Sequence, residues 1–340
     1  MSRVFIQGVG AVSPAGWGVE SMRGALAKGE AIPLKDLARP GQARLLRVRP
    51  VPPPAARPAF LAHPRLRRTS PISHFAVAAA LEALGTDAAR VADGSLRLGI
   101  VACVMSGCVN YSRRFYEEAL RDPATASPLV FPETVFNAPG SHLASLLGAT
   151  AINYTLVGDP GAFVQGIALA AEWLTTGQTD GCLVVGAEEI DWLTSDAFRL
   201  FARDAALSEG AGALYLRVEE SAVELRAITE SHLFSDRPSR ASAAVKMRAE
   251  LPVGGAGELL CDGAQNISKL DAPEEAAWRD WPGARLSPKT ILGEGLMAAS
   301  AWQCVAAVDA LREGRYSAAH VSVVGCNQQA IGARFVKNYA

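Results

Sequence analysis

Serine, histidine and cysteine are common catalytic nucleophiles and bases, and this chain offers few of them in useful arrangements. Ser141 and His142 are adjacent and look like an acyl-transfer pair, but neighbouring residues on a helix point in different directions. Cys103 and Cys108 have no second close pair to complete a metal site. We therefore predict structural roles for these side chains and expect no metal.

The segment 154–189 predicts a strand, a tight turn, a helix and a second strand. A short β-prone run, Tyr154–Val157, ends at Gly158-Asp159-Pro160-Gly161. Asp159 can accept a hydrogen bond from the first free N–H groups of the helix, and Pro160 suits the first helical position. Apolar residues then recur at helical spacing over residues 161–176. Further predicted strands and helices lie on both sides of this unit in the chain.

Composition excludes several classes of function. The chain has 340 residues, of which 49% are hydrophobic, and a net charge of −1, so it can bury a large core and has no general attraction for nucleic acid or anionic membranes. It shows neither a signal-peptide pattern nor an apolar run long enough to span a bilayer. Six scattered cysteines indicate reduced, buried thiols in a cytoplasmic protein. Gly8 and Gly10 lack the third glycine of a dinucleotide loop, so we expect no cofactor.

Four motifs resemble those of the β-ketoacyl synthases, the condensing enzymes of fatty-acid and polyketide synthesis. Val4–Gly18 is similar to the opening strand and glycine-rich turn of that family, and Asp180–Glu188 is similar to the strand that follows its nucleophile helix. Ser208–Leu216 is similar to its "G-E-G-A-G-x-L-x-L" strand, and Lys289–Glu294 to its "K-S-x-x-G-H" motif.

The resemblance implies that the catalytic triad of the family is missing. The nucleophilic cysteine would stand at the start of the central helix, on or next to Pro160. Asp262 and Glu294 occupy the positions of the two histidines, whereas Lys289 matches the lysine of the family. A carboxylate that is charged at pH 7 repels the enolate that the histidines stabilise. Condensing activity by this chain alone is therefore not expected.

The resemblance also implies the fold, which is α/β. We expect a thiolase-like arrangement of two similar α/β halves, packed in five layers of helices and sheets (αβαβα). The strand–helix alternation of the first half recurs in the second, which agrees with this architecture. We expect an N-terminal half over residues 1–205 and a C-terminal half over residues 206–340.

Partners follow from the same resemblance. Phe115, Phe131 and Phe136 fall where the family builds its acyl tunnel and subunit contact, although core packing is the alternative for each. The partner would be an active β-ketoacyl synthase in a heterodimer, or a second copy in a homodimer. The proline-rich segment 31–64 predicts an extended surface loop. An acidic acyl carrier protein could dock on the arginines of this segment and its continuation: Arg39, Arg44, Arg47, Arg49, Arg57, Arg65, Arg67 and Arg68.

Three functions remain open from the sequence. The leading hypothesis is a silent partner of an active synthase, similar to the chain-length factors of type II polyketide and aryl-polyene-like pathways. The second is an enzyme of different chemistry, a hydrolase, decarboxylase or acyltransferase, whose carboxylates Asp159, Asp262 and Glu294 converge in the same pocket and perform acid–base work or bind a cation. The third is a homodimeric scaffold that binds a carrier protein.

Overall fold

The computed structural model describes residues 3–339, and fourteen strands run through this part of the chain. In chain order they are β1 Val4–Ser13, β2 Gly16–Trp17, β3 Lys35–Arg39, β4 Gln42–Val48, β5 Leu98–Val104, β6 Asn153–Val157, β7 Gly181–Glu188, β8 Gly210–Arg217, β9 Val223–Ile228, β10 His232–Leu233, β11 Glu258–Cys261, β12 Ala284–Leu286, β13 Ala318–Val324 and β14 Gln329–Lys337.

Eleven α-helices lie between these strands in the described part of the chain. They are α1 Val19–Lys28, α2 Pro71–Leu84, α3 Asp87–Ala92, α4 Val109–Arg121, α5 Ala138–Leu147, α6 Ala162–Thr175, α7 Trp192–Phe201, α8 Arg237–Glu250, α9 Ser268–Ala277, α10 Pro288–Leu292 and α11 Met297–Arg312. Three short 3₁₀ turns lie at Ala59–Ala62, Pro64–Arg68 and Phe131–Glu133. No helix within residues 3–339 is long and apolar enough to cross a membrane.

Two halves of the molecule repeat one strand order. The first runs β6-β5-β7-β8-β1 and the second β12-β11-β13-β14-β9. In each half the first three strands named are parallel, and the last two alternate in direction. A short antiparallel contact between β1 and β9 joins the two halves into one continuous sheet. The prediction of two similar α/β halves is confirmed.

Two helices lie between the half-sheets. α11 packs on β1, β7 and β8 from one side and on β11, β13 and β14 from the other, and α6 contacts α11, β5, β7 and β14. α2 covers the outer face of the first half-sheet and α8 that of the second, which completes five layers. Every residue from Met297 to Leu311 is buried, so α11 has no face exposed to solvent except at its C-terminal end. A helix packed on all sides must be apolar all round.

The glycines of β1 allow a helix to approach closely. A Cβ added to Gly8 would lie 1.7 Å from the Ala83 carbonyl oxygen, and one added to Gly10 would lie 1.9 Å from that of Ala79. Both carbonyl groups belong to α2, so the two glycines serve helix–sheet packing.

Other parts of the chain differ from the predictions. Part of the segment 31–64, predicted as an extended loop, forms the antiparallel hairpin β3–β4, in which only Leu46 and Val48 are buried. With so few buried side chains, the alternation that identifies a strand is lost in the sequence. β8 pairs with β7 and β1, so we propose that the two halves divide after Arg217 and not after residue 205.

Candidate functional site

The resemblance to condensing enzymes predicts the cysteine position in the turn before α6. Asp159 and Pro160 are buried in this turn, and α6 begins two residues later, at Ala162. The placement of Pro160 at the first helical position is therefore wrong. The Asp159 carboxylate accepts hydrogen bonds from the N–H groups of Gly161 (3.0 Å), Gln328 (3.1 Å) and Gln329 (3.3 Å). Asp159 thus ties the start of α6 to the loop between β13 and β14.

Replacing Asp159 by alanine is expected to lower the free energy of unfolding by about 2–3 kcal/mol, because three N–H groups would lose a charged acceptor that is itself buried. A simple helix cap would cost only about 1 kcal/mol. Urea denaturation measures the difference. Asp93→Ala is the control, since Asp93 makes a similar side-chain bond to the N–H of Ser95 in an exposed turn. Equal losses in both variants would contradict the tie between the two segments.

The beginning of α6 is closed by Gln329. A Cβ added to Gly161 would lie 2.8 Å from the Gln329 Cγ, and Gln329 is only 2% exposed. Its amide nitrogen donates to Gln165 Oε1 at 3.3 Å. Free N–H groups at the start of a helix can stabilise a thiolate. In this chain the Gln329 side chain covers them.

Lys289 and Glu294 form a buried ion pair. The Lys289 Nζ lies 2.8 Å from Glu294 Oε2, and the two side chains are 5% and 1% exposed. The same carboxylate accepts hydrogen bonds from the Leu296 N–H (2.8 Å) and the Gln265 side chain (3.3 Å). Desolvation by burial is the largest single effect and lowers the pKa of Lys289, but the charges of Glu294, Cys326 and Glu274 and the hydrogen bond to Glu294 together outweigh it and leave that pKa raised. The pair is a locked charge pair rather than a free base.

Asp262 has its own partners. Its carboxylate accepts from the Ser287 hydroxyl and, at 3.2 Å, from the Ala264 N–H, and Arg285 lies 3.8 Å away. Desolvation by burial raises the pKa of Asp262. The three carboxylates of the second hypothesis therefore each bind a different set of donors. Within residues 3–339 no three His, Cys, Asp or Glu side chains are grouped to hold a metal ion.

Glu274 and Cys326 are functional candidates that the sequence analysis missed. Both line a cavity of about 10 Å³ beside Lys289 and Glu294, which is room for about one water molecule. The pKa of the Cys326 thiol is raised by burial and by Glu294, so the thiol stays protonated at neutral pH. Glu274 bonds to Ser322 and to the N–H of Gly263, and burial raises its pKa. The only sequence feature that could have indicated this site is the adjacent pair Gly325 and Cys326 in a predicted loop.

Glu188 ends β7 as a buried carboxyl group. Desolvation raises its pKa to about 8, and Glu189 adds to the shift, although N–H groups of Met105 and Ser106 oppose it. The folded chain therefore holds a proton that the unfolded chain releases above about pH 4.5. Stability from this group is complete at low pH and is lost as the pH rises towards 8.

The Glu188→Gln variant is expected to show a shallower loss of stability between about pH 5 and pH 8. The slope should fall by up to about 1.4 kcal/mol per pH unit, the value for one proton. Urea denaturation at several pH values measures this slope. Glu275→Gln, at an exposed position on α9, should leave the slope unchanged. A Glu188→Gln variant with the slope of the parent chain would show that Glu188 is ionised throughout.

The histidine and phenylalanine candidates lie elsewhere. His142 Nε2 contacts both carboxylate oxygens of Glu133 at 2.9 Å, while Ser141 is exposed, so the two do not form an acyl-transfer pair. The rings of Phe115 and Phe131 lie 5.3 Å apart. Phe131 and Phe136 are 55% and 46% exposed, so a position at a subunit contact fits them better than core packing does.

Solved structures of ketosynthases align with nearly the whole chain. A β-ketoacyl synthase from Burkholderia phymatum STM815 aligns with a TM-score of 0.82 at 17% identity, covering 99% of this chain and 100% of that chain. A ketosynthase in complex with its chain length factor, from Xenorhabdus doucetiae, gives 0.81 at 14% identity and covers 99% and 98%. The ishigamide ketosynthase/chain length factor gives 0.79 at 19% identity and covers 98% and 99%.

The sequence matches no protein-family profile and no curated protein. Sequence identities below one in five, with such complete structural coverage, show a shared fold. The prediction of a thiolase-like architecture is confirmed, and the chain has the fold of the β-ketoacyl synthases.

Proposed function

We propose that this chain is a non-condensing subunit that assembles with an active β-ketoacyl synthase, in the manner of a chain-length factor. The observation that carries the proposal is the state of the triad positions. Pro160 stands where the resemblance predicts the cysteine, while Asp262 and Glu294, the predicted replacements of the two histidines, are engaged by Ser287 and Lys289. The scaffold is retained, but its pocket is filled by internal bonds.

An unpaired sheet edge supports a partner of the same fold. β6 pairs with β5 on one side, and no strand of residues 3–339 pairs with its other side. Tyr154 and Val157 on this strand are 55% and 53% exposed. Exposed apolar edge strands are aggregation-prone unless another chain covers them.

The apolar surface continues beyond the strand. α5 contacts β6, and exposed apolar side chains lie on the segment that leads into α5: Leu129, Phe131, Val135 and Phe136. Together with Tyr154 and Val157 they form what we call the β6 surface. The Xenorhabdus structure holds a ketosynthase with its chain length factor, and we infer a comparable heterodimer through the β6 surface, in cytoplasmic type II polyketide or fatty-acid synthesis.

A carrier protein is the second partner in this proposal. One structure of the same fold holds a type II acyl-carrier protein with its ketosynthase. Of the arginines proposed for docking, Arg49 is excluded, because it is partly buried and donates to the Ile32 carbonyl, and Arg39 is paired with Asp196. Arg47 is likewise paired with Asp36 at 3.2 Å. The exposed candidates that form no ion pair within residues 3–339 are Arg44, Arg57, Arg65, Arg67 and Arg68.

Co-expression with the condensing enzyme encoded nearest to this chain tests the proposal. Size-exclusion chromatography and intact-mass analysis should find a stable one-to-one complex, and the product length should change when this chain is omitted. A homodimer that forms no complex with the synthase would refute the heterodimer and favour the hypothesis of a homodimeric scaffold.

The Pro160→Cys variant separates this proposal from a dormant condensing enzyme. We expect no malonyl-dependent elongation by the purified variant, because both histidines are still absent and Gln329 covers the helix start. Elongation above the level of the parent chain, measured without any partner synthase, would overturn the assignment of the triad positions.

A further inference from the structure

A basic cleft opens on the surface above the filled pocket. It lies between the hairpin β3–β4, α7 and the start of α9, and its volume is about 720 Å³. Cavities that bind small molecules typically measure about 300–1,000 Å³. Five basic residues line it and define what we call the arginine cleft: Arg39, Arg44, Arg199, Arg203 and Lys269.

The charge of the arginine cleft is concentrated locally. Five basic side chains and the carboxylates of Asp196 and Asp204 give the cleft a net charge of +3. The net charge of the whole chain is −1. Arg39 is bonded to Asp196. Arg44, Arg203 and Lys269 have no ion-pair partner within 4 Å in the described part of the chain. Their charges are therefore available to a ligand.

A second, apolar cavity of about 190 Å³ adjoins the arginine cleft. The two share Phe201, Lys269 and Leu270 as a common wall. Phe234 lines the far side, with the guanidinium carbon of Arg240 5.8 Å from its ring centroid. An aromatic group placed here would contact two phenylalanines while it remained attached to a charged group in the arginine cleft.

We propose that the arginine cleft and the adjoining cavity bind a small molecule that carries a polyphosphate group and a flat aromatic ring, the chemistry of a nucleotide. Planar guanidinium groups match phosphate oxygens in a bidentate geometry, and three unpaired cations match a polyanion. The concave shape favours a small molecule over the convex face of a protein. This site is separate from the β6 surface, so it does not depend on the synthase partner, although Arg44 is also a candidate for carrier-protein docking.

Calorimetric titration with ADP, tripolyphosphate and adenosine tests the site on the full chain. ADP is expected to bind, tripolyphosphate to bind more weakly and adenosine not to bind measurably. Raising the salt concentration should weaken ADP binding, because exposed charges are screened. The variant Arg44→Gln/Arg203→Gln/Lys269→Gln should weaken ADP about tenfold or more, as expected for the loss of charged contacts.

A matched variant controls for net charge. Arg121→Gln/Lys246→Gln/Arg279→Gln removes three exposed cations elsewhere and should leave ADP affinity within about twofold. Phe234→Ala should weaken ADP but not tripolyphosphate. Absence of ADP binding at millimolar concentration, or equal losses in the two triple variants, would overturn the proposal. Co-purification of the first triple variant with the synthase is measured in parallel, so that failure of either proposal is seen separately.

Discussion

Replacing Lys289 by methionine is expected to lower the free energy of unfolding by about 3–5 kcal/mol. The Glu294 carboxylate would remain buried with only Gln265 and the Leu296 N–H as donors, and removing one partner of a buried pair leaves an uncompensated charge. Urea denaturation at pH 7 measures the change. The loss should exceed that of Asp159→Ala, because a full counter-charge disappears while its buried partner stays.

Two further variants decide whether the loss comes from the charge. Lys289→Met combined with Glu294→Gln should recover much of the stability, because no net charge is then buried. Arg114→Ala, which breaks the exposed pair with Glu118 at 3.1 Å, should cost less than about 1 kcal/mol. If the double variant is as unstable as Lys289→Met, the methionine does not fit and charge is not the cause.

Placing two aspartates on the β6 surface, Phe131→Asp with Val157→Asp, is expected to abolish co-purification with the synthase that we propose as partner. Both side chains are more than half exposed in the isolated chain, so the chain should still fold. In a complex each aspartate would be a desolvated charge at the centre of an apolar contact, and such positions cost about 2 kcal/mol or more each. Together they should weaken association by about 100-fold or more.

Exposed apolar residues on the other half of the molecule provide the matched control. Leu233 and Val253 are 71% and 86% exposed, and Leu233→Asp with Val253→Asp should leave the complex intact. Thermal unfolding of each double variant without the partner shows whether folding is preserved. Equal loss of the complex in both double variants, or retention in the first, would exclude the β6 surface as the interface.

The central unit and the alternating strands and helices could be predicted from the sequence. Local signals suffice for α6 and β7, because a break at 158–161 precedes a helical repeat and a buried apolar run follows it. The residue types of Pro160, Asp262 and Glu294, which the resemblance places at the catalytic triad, also led to the prediction that condensing activity is absent. No arrangement of neighbours turns a proline into a nucleophile.

Only the tertiary structure decided what these residues do instead. Asp159 accepts hydrogen bonds from Gln328 and Gln329, about 170 positions away in the chain. Glu294 forms a buried ion pair with Lys289. Cys326 reaches the same site from the loop before β14. Periodicity reports which face of an element is buried, but contacts between distant segments depend on how the two half-sheets pack around α6 and α11. The sequence by itself thus determined the fold and the residue types at the predicted triad positions, whereas the packing of the halves decided which contacts these residues make.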